Sequence, residues 1–551
     1  MVAMRGDMTA QAPARQVRVA DRVAETLFAH GVRHAFGMPG GEVVTLIDGL
    51  QRAGIGFKLS RHETAAAIMA AGVSVLMDQP QVLVTTVGPG LANAVNGIAD
   101  AVQERVPLIV LSGIVDRETR ARYTHQVIDH AALLRPLVKA SFEIEPDSAA
   151  ATVARAVRLA TTEPKGPVHL DISPSVAAAS AIDTGSMSPA PVLMPQVGVD
   201  DPLIRHLVER IGRAERPLII AGFEAARSHC SADLLALAEG IGAPVVTTYK
   251  GKGLLPEDHP LSLGGAGLSP KADRLLLPLI RQADLVLAIG YDPIEMRIGW
   301  MDLVDDPANW IEITALPVDH GMHQAGLHIP VAPSALLETL SSQVPHKASW
   351  PAQEFAAVRQ ELRRIFSGAD TWGPKAIVET LQAVVDPETI VTVDSGAHRI
   401  LLSQQWICQK PLTLLQSAGF CTMAAALPLA IGAKIARPVA QVVAVMGDGG
   451  LEMGIGELAT LRDLGLPVTI LLFQDQSLAL IALKQASAGL PSLGVSLGQT
   501  DFAAVARGFG GFGVTVETTD DLRHELSAAR DRETFSLICC RFDASAYDGA
   551  F

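Results

Sequence analysis

The chain has 551 residues, room for about three to five domains, and its 49% apolar content against 19% charged residues excludes a disordered chain. Aromatic residues make up only 4%, so the cores have to be built from Ala, Val, Leu and Ile. The 58 acidic residues outnumber the 44 basic ones, and the net charge of −14 speaks against a nucleic-acid-binding surface, which needs a basic footprint.

Residues 1–15 lack the apolar stretch of a signal peptide, so none is expected. From there strands and helices alternate, the pattern of parallel sheets covered on both faces. Residues 19–30 have helical spacing and stop at Gly31. A strand (33–36), a helix (41–53), a strand (56–60) and an Ala-rich helix (62–77) follow. Then come a strand (81–87), a helix (91–103) and an apolar strand (107–111). The uncharged runs 79–99 and 411–433 exceed the ~18 residues that suggest a membrane span. Each carries Gly and Pro inside and reads better as strand, loop and buried helix, so a soluble, cytoplasmic chain is expected.

The expected fold class is α/β, with three consecutive doubly wound parallel-sheet domains. The first spans residues 16–175. Residues 176–201, rich in Ala, Ser and Pro, read as a linker. The second domain spans 202–345, with strands at 217–221, 244–247, 285–289 and 310–312. Residues 346–371, with a polar helical segment at 351–367, lead to the third domain at 372–551. Its strands are expected at 389–393, 413–416, 441–446, 467–473, 513–516 and 535–540. Units one and three share a rhythm. The five cysteines form no CxxC and read as thiols in a reducing compartment.

The sharpest chemical signal lies in the third unit. An apolar strand runs into Gly447-Asp448-Gly449-Gly450, with a helix expected over 451–463. The next strand ends at Asp475, 27 residues after Asp448. One strand–helix–strand unit brings both carboxylates to the same sheet edge. Glycines let backbone N–H groups approach a phosphate, and two acids beside it make a hard-cation site. Alone, the glycine run is equally a tight turn with capping aspartates. In the first unit, Glu63 stands at a strand-to-helix junction in Arg61-His62-Glu63, where it could serve merely as a cap, and Gly88-Pro89-Gly90 opens another helix.

Taken together, HAFGMPGGEV, RHETAAAIMAAG, TTVGPGLANAVNGIADA and VMGDGG followed by FQDQS resemble thiamine-diphosphate-dependent enzymes of the acetolactate synthase and 2-oxo acid decarboxylase superfamily, over nearly the whole chain. Thr124-His125-Gln126 with Asp129, and IGYDPIE in the middle unit, look most like the catabolic, flavin-independent acetolactate synthases. The three domains would then be pyrimidine-binding, central Rossmann-like and diphosphate-binding. The resemblance implies thiamine diphosphate and Mg²⁺, and IGYDPIE argues against FAD. Glu63 would be the carboxylate beside the pyrimidine ring of the cofactor. Gly396, Ala397 and His398 would contact the diphosphate, as would Gly447, Asp448, Gly449, Gly450 and Leu478. Asp448, Asp475 and the carbonyl of Ser477 would hold the metal. The Cys421 carbonyl would accept from the cofactor's amino group, and Met423 would wedge between its rings. His125 and Gln126 would face the reacting carbon.

Two stretches depart from the family: Cys421, where Gly or Gln is expected, and LALIALKQ (478–485), where a helix normally shapes the acceptor side. The substrate-side positions Gly41, Thr86 and Val87 are small or apolar, which favours carboligation. In the family the active site forms across a subunit interface. That implies a homodimer or homotetramer, with the helices at 62–77 and 423–434 suited to the interface. The leading expectation is a carboligase acting on a 2-oxo acid, with pyruvate foremost. A nonoxidative 2-oxo acid decarboxylase or 2-hydroxy ketone lyase is the alternative, followed by an FAD-linked pyruvate oxidase and a cofactor-binding protein that has lost its activity.

Overall fold

Strands made wholly of Val, Leu, Ile and Ala have to be covered on both faces. Leu108–Gly113 and Leu285–Ile289 are buried at every position. The computed structural model, which describes residues 17–182, 197–316, 320–347, 349–368 and 371–551, meets this need with three six-stranded sheets. All their strand pairs are parallel.

The first sheet contains β1 (His34–Gly37), β2 (Gly56–Leu59), β3 (Gln81–Thr85), β4 (Leu108–Gly113), β5 (Ser141–Glu143) and β6 (Val168–Ile172). The second contains β7 (Pro217–Ala221), β8 (Val245–Thr248), β9 (Ser262–Ala266), β10 (Leu285–Ile289), β11 (Trp310–Thr314) and β12 (Leu327–Pro330). The third contains β13 (Ile390–Val393), β14 (Leu414–Gln416), β15 (Val442–Gly447), β16 (Thr469–Gln474), β17 (Phe512–Val516) and β18 (Ser536–Arg541). Sheets one and three run β2-β1-β3-β4-β6-β5 and β14-β13-β15-β16-β18-β17, the same order twice. The middle sheet runs β12-β11-β10-β7-β8-β9, the dinucleotide-fold order.

The α/β reading holds, with several corrections of detail. Four strands escaped the sequence reading: β5, β6, β9 and β12. β5 and β12 are short and half-exposed, β9 carries two glycines, and β6 interleaves His and Asp with its apolar residues. The single helix expected over 451–463 is two, Asp448–Gly454 and Glu457–Leu464. The break falls where a Cβ on Gly456 would lie 3.2 Å from Cβ of Arg61. The helix expected from residue 423 begins at Ala426, because Cys421 and Ala424 hold left-handed φ values of 56° and 64°. Both long uncharged runs resolve into strand, turn and helix, and among the described residues no helix is long and apolar enough to cross a membrane. Of the first expected linker, residues 183–196 lie outside the described residues, as do residues 1–16.

Helices Glu63–Met77 and Ala426–Ala436, which the sequence suggested for a subunit interface, instead pack on each other within one chain. They meet backbone to backbone. A Cβ on Gly432 would lie 2.4 Å from the Met69 carbonyl oxygen, and one on Gly72 would lie 2.9 Å from that of Leu429. One apolar core therefore runs from the first sheet through both helices to the third. Gly432→Ala should cost about 1–3 kcal/mol through overpacking. Urea unfolding of the variant against the parent checks this, and an unchanged midpoint would mean that the helices are not in backbone contact.

Candidate active site

β13 and β15 are neighbours whose following connections diverge, which makes the C-terminal edge between them a topological switch point. A cavity of about 810 Å³ opens there. Gly396, Ala397 and His398 line it from the end of β13, and Cys421 and Met423 from the loop after β14. Gly447, Asp448, Gly449 and Gly450 line it from the end of β15, and Asp475, Ser477 and Leu478 from the end of β16. Every residue expected at the diphosphate, the metal and the ring wedge thus faces one space. The helix Ala479–Ser487, which holds most of the LALIALKQ departure, also walls it, through Leu480, Ile481 and Leu483.

The two aspartates are held by main-chain donors. Asp448 accepts from Gly449 N at 2.9 Å and Gln476 N at 2.7 Å, and Asp475 accepts from Ser477 N at 2.9 Å. Burial, followed by the nearby charge of Asp448, pushes Asp475 up to about 7. Burial also raises Asp448, against its backbone bonds. A buried and a half-buried carboxylate, the second made costlier to ionise by the charge of the first, fit a divalent cation. The segment after Asp475 is strapped by Leu478 N to Val495 O and Leu497 N to Gln476 O, both 2.8 Å.

His398 is buried, and burial pushes its pKa down to about 3, so the ring is neutral. A Cβ on Gly396 would lie 2.6 Å from the ring, and one on Gly447 would lie 3.2 Å from it. Those two glycines make its room, and Nε2 lacks a protein partner. Gly449 packs under Leu478 and Met423. The left-handed Cys421 carbonyl accepts from Ser395 Oγ at 2.7 Å, leaving one lone pair.

Glu63, His125 and Gln126 are not among the residues that line this cavity. Glu63 is buried at the start of its helix, where Asn93 Nδ2 donates to Oε2 at 3.1 Å. A Cβ on Gly90 would lie 3.4 Å from Glu63 Oε1, and one on Gly88 would lie 2.2 Å from the Gln126 carbonyl oxygen. Glu63, the Gly88–Gly90 turn and Gln126 thus form a second group at the edge of β1 and β3, that sheet's own switch point. His125 is exposed beside Tyr123, ring centroids 6.1 Å apart. Glu42, which the sequence reading passed over, reaches this edge: its Oε2 accepts from Thr86 Oγ1 at 2.6 Å.

Several other supports were missed. Asp394, read only as the end of a strand, is buried and accepts from Ala424 N and Ala425 N, both at 2.9 Å. Burial pushes it up to about 6. Glu104 Oε1 accepts from Ala418 N and Gly419 N at 2.8 Å, and Lys250 of the middle unit pairs with its Oε2. Asp100 bonds Ser417. All three units thus converge on the loop that carries Cys421 and Met423. The Asp100 and Glu104 contacts to this loop span 314 to 317 residues of sequence, so no local pattern announced them.

Three protein-family models match the chain. They are the thiamine pyrophosphate enzyme N-terminal TPP binding domain over residues 17–133, the central domain over 204–340 and the C-terminal TPP binding domain over 394–540. The chain is 31% identical to the acetolactate synthase of Bacillus subtilis, over 96% of this chain and 94% of that protein. It is 31% identical to a probable acetolactate synthase large subunit of Methanocaldococcus jannaschii, covering 93% of this chain and 89% of that one. It is 30% identical to a catabolic acetolactate synthase of Raoultella terrigena, over 95% of each. In fold it is similar to the Rhodococcus jostii RHA1 thiamine diphosphate-dependent 4-hydroxybenzoylformate decarboxylase. The TM-score is 0.84 at 22% identity, covering 96% of this chain and 99% of that one.

The Lys250–Glu104 pair offers a direct test of how the loop that carries Cys421 and Met423 is held. Lys250→Met strands a buried carboxylate and should cost roughly 3 kcal/mol. Lys250→Met combined with Glu104→Gln removes the stranded charge and should recover most of that loss. Denaturant titration of the single and double variants reads both, and equal losses in the two would overturn the charge argument.

Proposed function

This chain belongs to the thiamine pyrophosphate enzyme family, and from that premise we propose that it is a carboligase of the acetolactate synthase kind. It would decarboxylate a 2-oxo acid, pyruvate foremost, and join the acyl fragment to a second carbonyl. The observation that carries this reading is the single cavity lined by Gly396–His398, Cys421, Met423, Gly447–Gly450, Asp475, Ser477 and Leu478. When bound there, thiamine diphosphate would supply the electron sink that lets a 2-oxo acid lose CO₂ and its acyl carbon attack an acceptor.

The chain's own residues would do the rest. We assign Asp448, Asp475 and the Ser477 carbonyl to Mg²⁺, a hard cation that suits oxygen donors. His398, the Gly396–Ala397 turn, the Gly447–Gly450 turn and Leu478 would hold the diphosphate. Nε2 of His398 is a buried polar atom without a protein partner there. Met423 and Leu478, packed over Gly449, would set the bend of the cofactor and exclude water. Glu63 would orient the pyrimidine by a hydrogen bond at its ring nitrogen. His125 and Gln126 would meet the substrate.

Glu63 does not line the cavity of its own chain. We therefore propose a homodimer as the smallest active assembly, each subunit lending Glu63 to its partner, and a homotetramer as a pair of such dimers. We leave FAD out of the reading. Gly222 and Gly290 press together at the middle sheet's switch point, where a Cβ on Gly222 would lie 2.4 Å from the Gly290 carbonyl oxygen. The cavity beside them is about 110 Å³, small for a flavin dinucleotide. The five free cysteines, four of them buried, suit a reducing cytoplasm.

Product analysis by NMR with labelled pyruvate, thiamine diphosphate and Mg²⁺ tests the reading. Acetolactate is expected, and acetaldehyde as the main product would move the assignment to a decarboxylase. Glu63→Gln should keep cofactor binding yet lose turnover by roughly 100-fold or more, since an orienting acid acts on the chemistry rather than on affinity. Unchanged turnover would remove Glu63 from its role. The raised pKa of Asp475 sets a pH test as well. Below about 7 its carboxyl holds a proton that a cation has to displace, so Mg²⁺ affinity should fall as pH drops through that value and level off above it. Calorimetric Mg²⁺ titrations from about 1.5 pH units below that value to about 1.5 above it check this, and a flat profile would contradict it.

A further inference from the structure

The loop of residues 123–130 ends in a histidine whose two ring nitrogens are both engaged. His130 is buried, its Nδ1 lies 2.8 Å from Asp171 Oδ1, and Gly88 N–H donates to its Nε2 at 3.3 Å. A backbone N–H can only donate, so Nε2 carries the lone pair and Nδ1 the proton that goes to Asp171. His169 Nε2 lies 3.2 Å from the same carboxylate oxygen, off the line of a hydrogen bond, and its Nδ1 is 3.3 Å from Ser141 Oγ. Burial works to raise the Asp171 pKa, but the His130 hydrogen bond and the His169 ring beside it outweigh burial and hold the carboxyl below its usual range.

His130, His169 and Asp171 present ligand atoms within 4.8 Å of one another, the composition of a transition-metal site. The Gly88 amide decides against that use. A metal on Nδ1 would put the ring proton on Nε2, donor facing donor, and a metal on Nε2 would displace the amide. The carboxylate is better understood as fixing the tautomer that lets the ring accept from Gly88.

Gly88 is where the loop and the helix meet. Its φ is +61°, and the Gln126 carbonyl presses on it so closely that no Cβ fits. It precedes the helix Pro89–Gln103, whose Asn93 reaches Glu63. We propose that His130 is a positioning residue: through its acceptor nitrogen it anchors the Gly88 amide, and thereby holds the His125–Gln126 loop and the Asn93–Glu63 contact in register. Its consequence for turnover rests on the carboligase reading, while its geometry does not.

Two variants of equal length separate the acceptor from the bulk. His130→Gln places an oxygen where Nε2 was, and His130→Met places its terminal methyl, which accepts no hydrogen bond, there. Both are compared with the parent, with thiamine diphosphate and Mg²⁺ added, by hydrogen exchange of the peptide spanning Gly88 and by steady-state kinetics. Methionine should speed Gly88 exchange and lower kcat by about tenfold or more each, with a smaller change in KM. Glutamine should stay within about threefold of the parent in both. If the methionine variant does not fold, His130→Asn replaces it, because its oxygen falls where Nδ1 was and misses Gly88. Parent-like exchange and kcat in the methionine or asparagine variant would overturn the proposal. So would equal losses in the glutamine variant, or a stoichiometric transition metal in the purified parent that His130→Gln removes. If the parent turned over no 2-oxo acid, the carboligase reading would fail, and the exchange comparison alone would still decide the role of His130.

Discussion

The crossing of two helices at Gly72 and Gly432 sets what the rest of the molecule can do. Each helix starts beside chemistry: one opens with Glu63, and the other follows the loop of Cys421 and Met423. Where a Cβ on either glycine would meet the other helix's carbonyl, the backbones lie as close as packing allows, and the relative position of the two helices has little freedom. The apolar core continues from one sheet to the other through this contact, so the first and third units behave as one packed body. That makes the placement of Glu63 relative to Met423 within a chain a property of the core rather than of flexible loops.

The middle unit contributes charge. Lys250 enters the seam between the other two units, with its ammonium 3.5 Å from the ring centroid of Phe223, and pairs with Glu104. Glu104 spends its other oxygen on two backbone amides of the loop that carries Cys421 and Met423. Asp100 beside it is pushed up to about 7 by burial and by the charge of Glu104, and it bonds Ser417. A buried ion pair is a weak source of net stability but an exacting one, because either partner alone is costly. Here its geometric demand falls on the segment that leads to Cys421 and Met423. The middle unit thus fixes part of the cavity wall even where it contributes few lining atoms.

Much of this was legible in the sequence, for identifiable reasons. All six strands of the third sheet were readable, because they are apolar runs bounded by Gly, Pro or Asp. Most of the cavity residues were readable because they follow such strands, where a parallel sheet gathers its loops, whereas Leu268, Arg297 and Tyr547 reach the same space from farther along the chain. What escaped depends on contacts distant in sequence or on backbone conformation. Neither the left-handed Cys421 and Ala424 nor the break at Gly456 has a hydrophobic period to betray it. Glu42 was hidden by its neighbour, since only the turn geometry after β1 sends its carboxylate to Thr86. The two Ala-rich helices advertised burial without naming their partner, and the partner is in the same chain.

Glu457 shows how tightly the two groups of residues are bound together. Its carboxylate accepts from Arg61 N at 2.9 Å and His62 N at 3.0 Å, the last two amides before Glu63, while Thr460 donates to its other oxygen at 2.6 Å. It begins the helix that follows directly on the one opened by Asp448. One short run of chain therefore places the cavity-lining Asp448 at one end and grips the Glu63 junction at the other. Burial raises the Glu457 pKa against those hydrogen bonds, so its ionised form depends on the amides it holds. The Asp448 turn and the Glu63 junction of one chain are thus joined through Glu457 as well as through the shared apolar core.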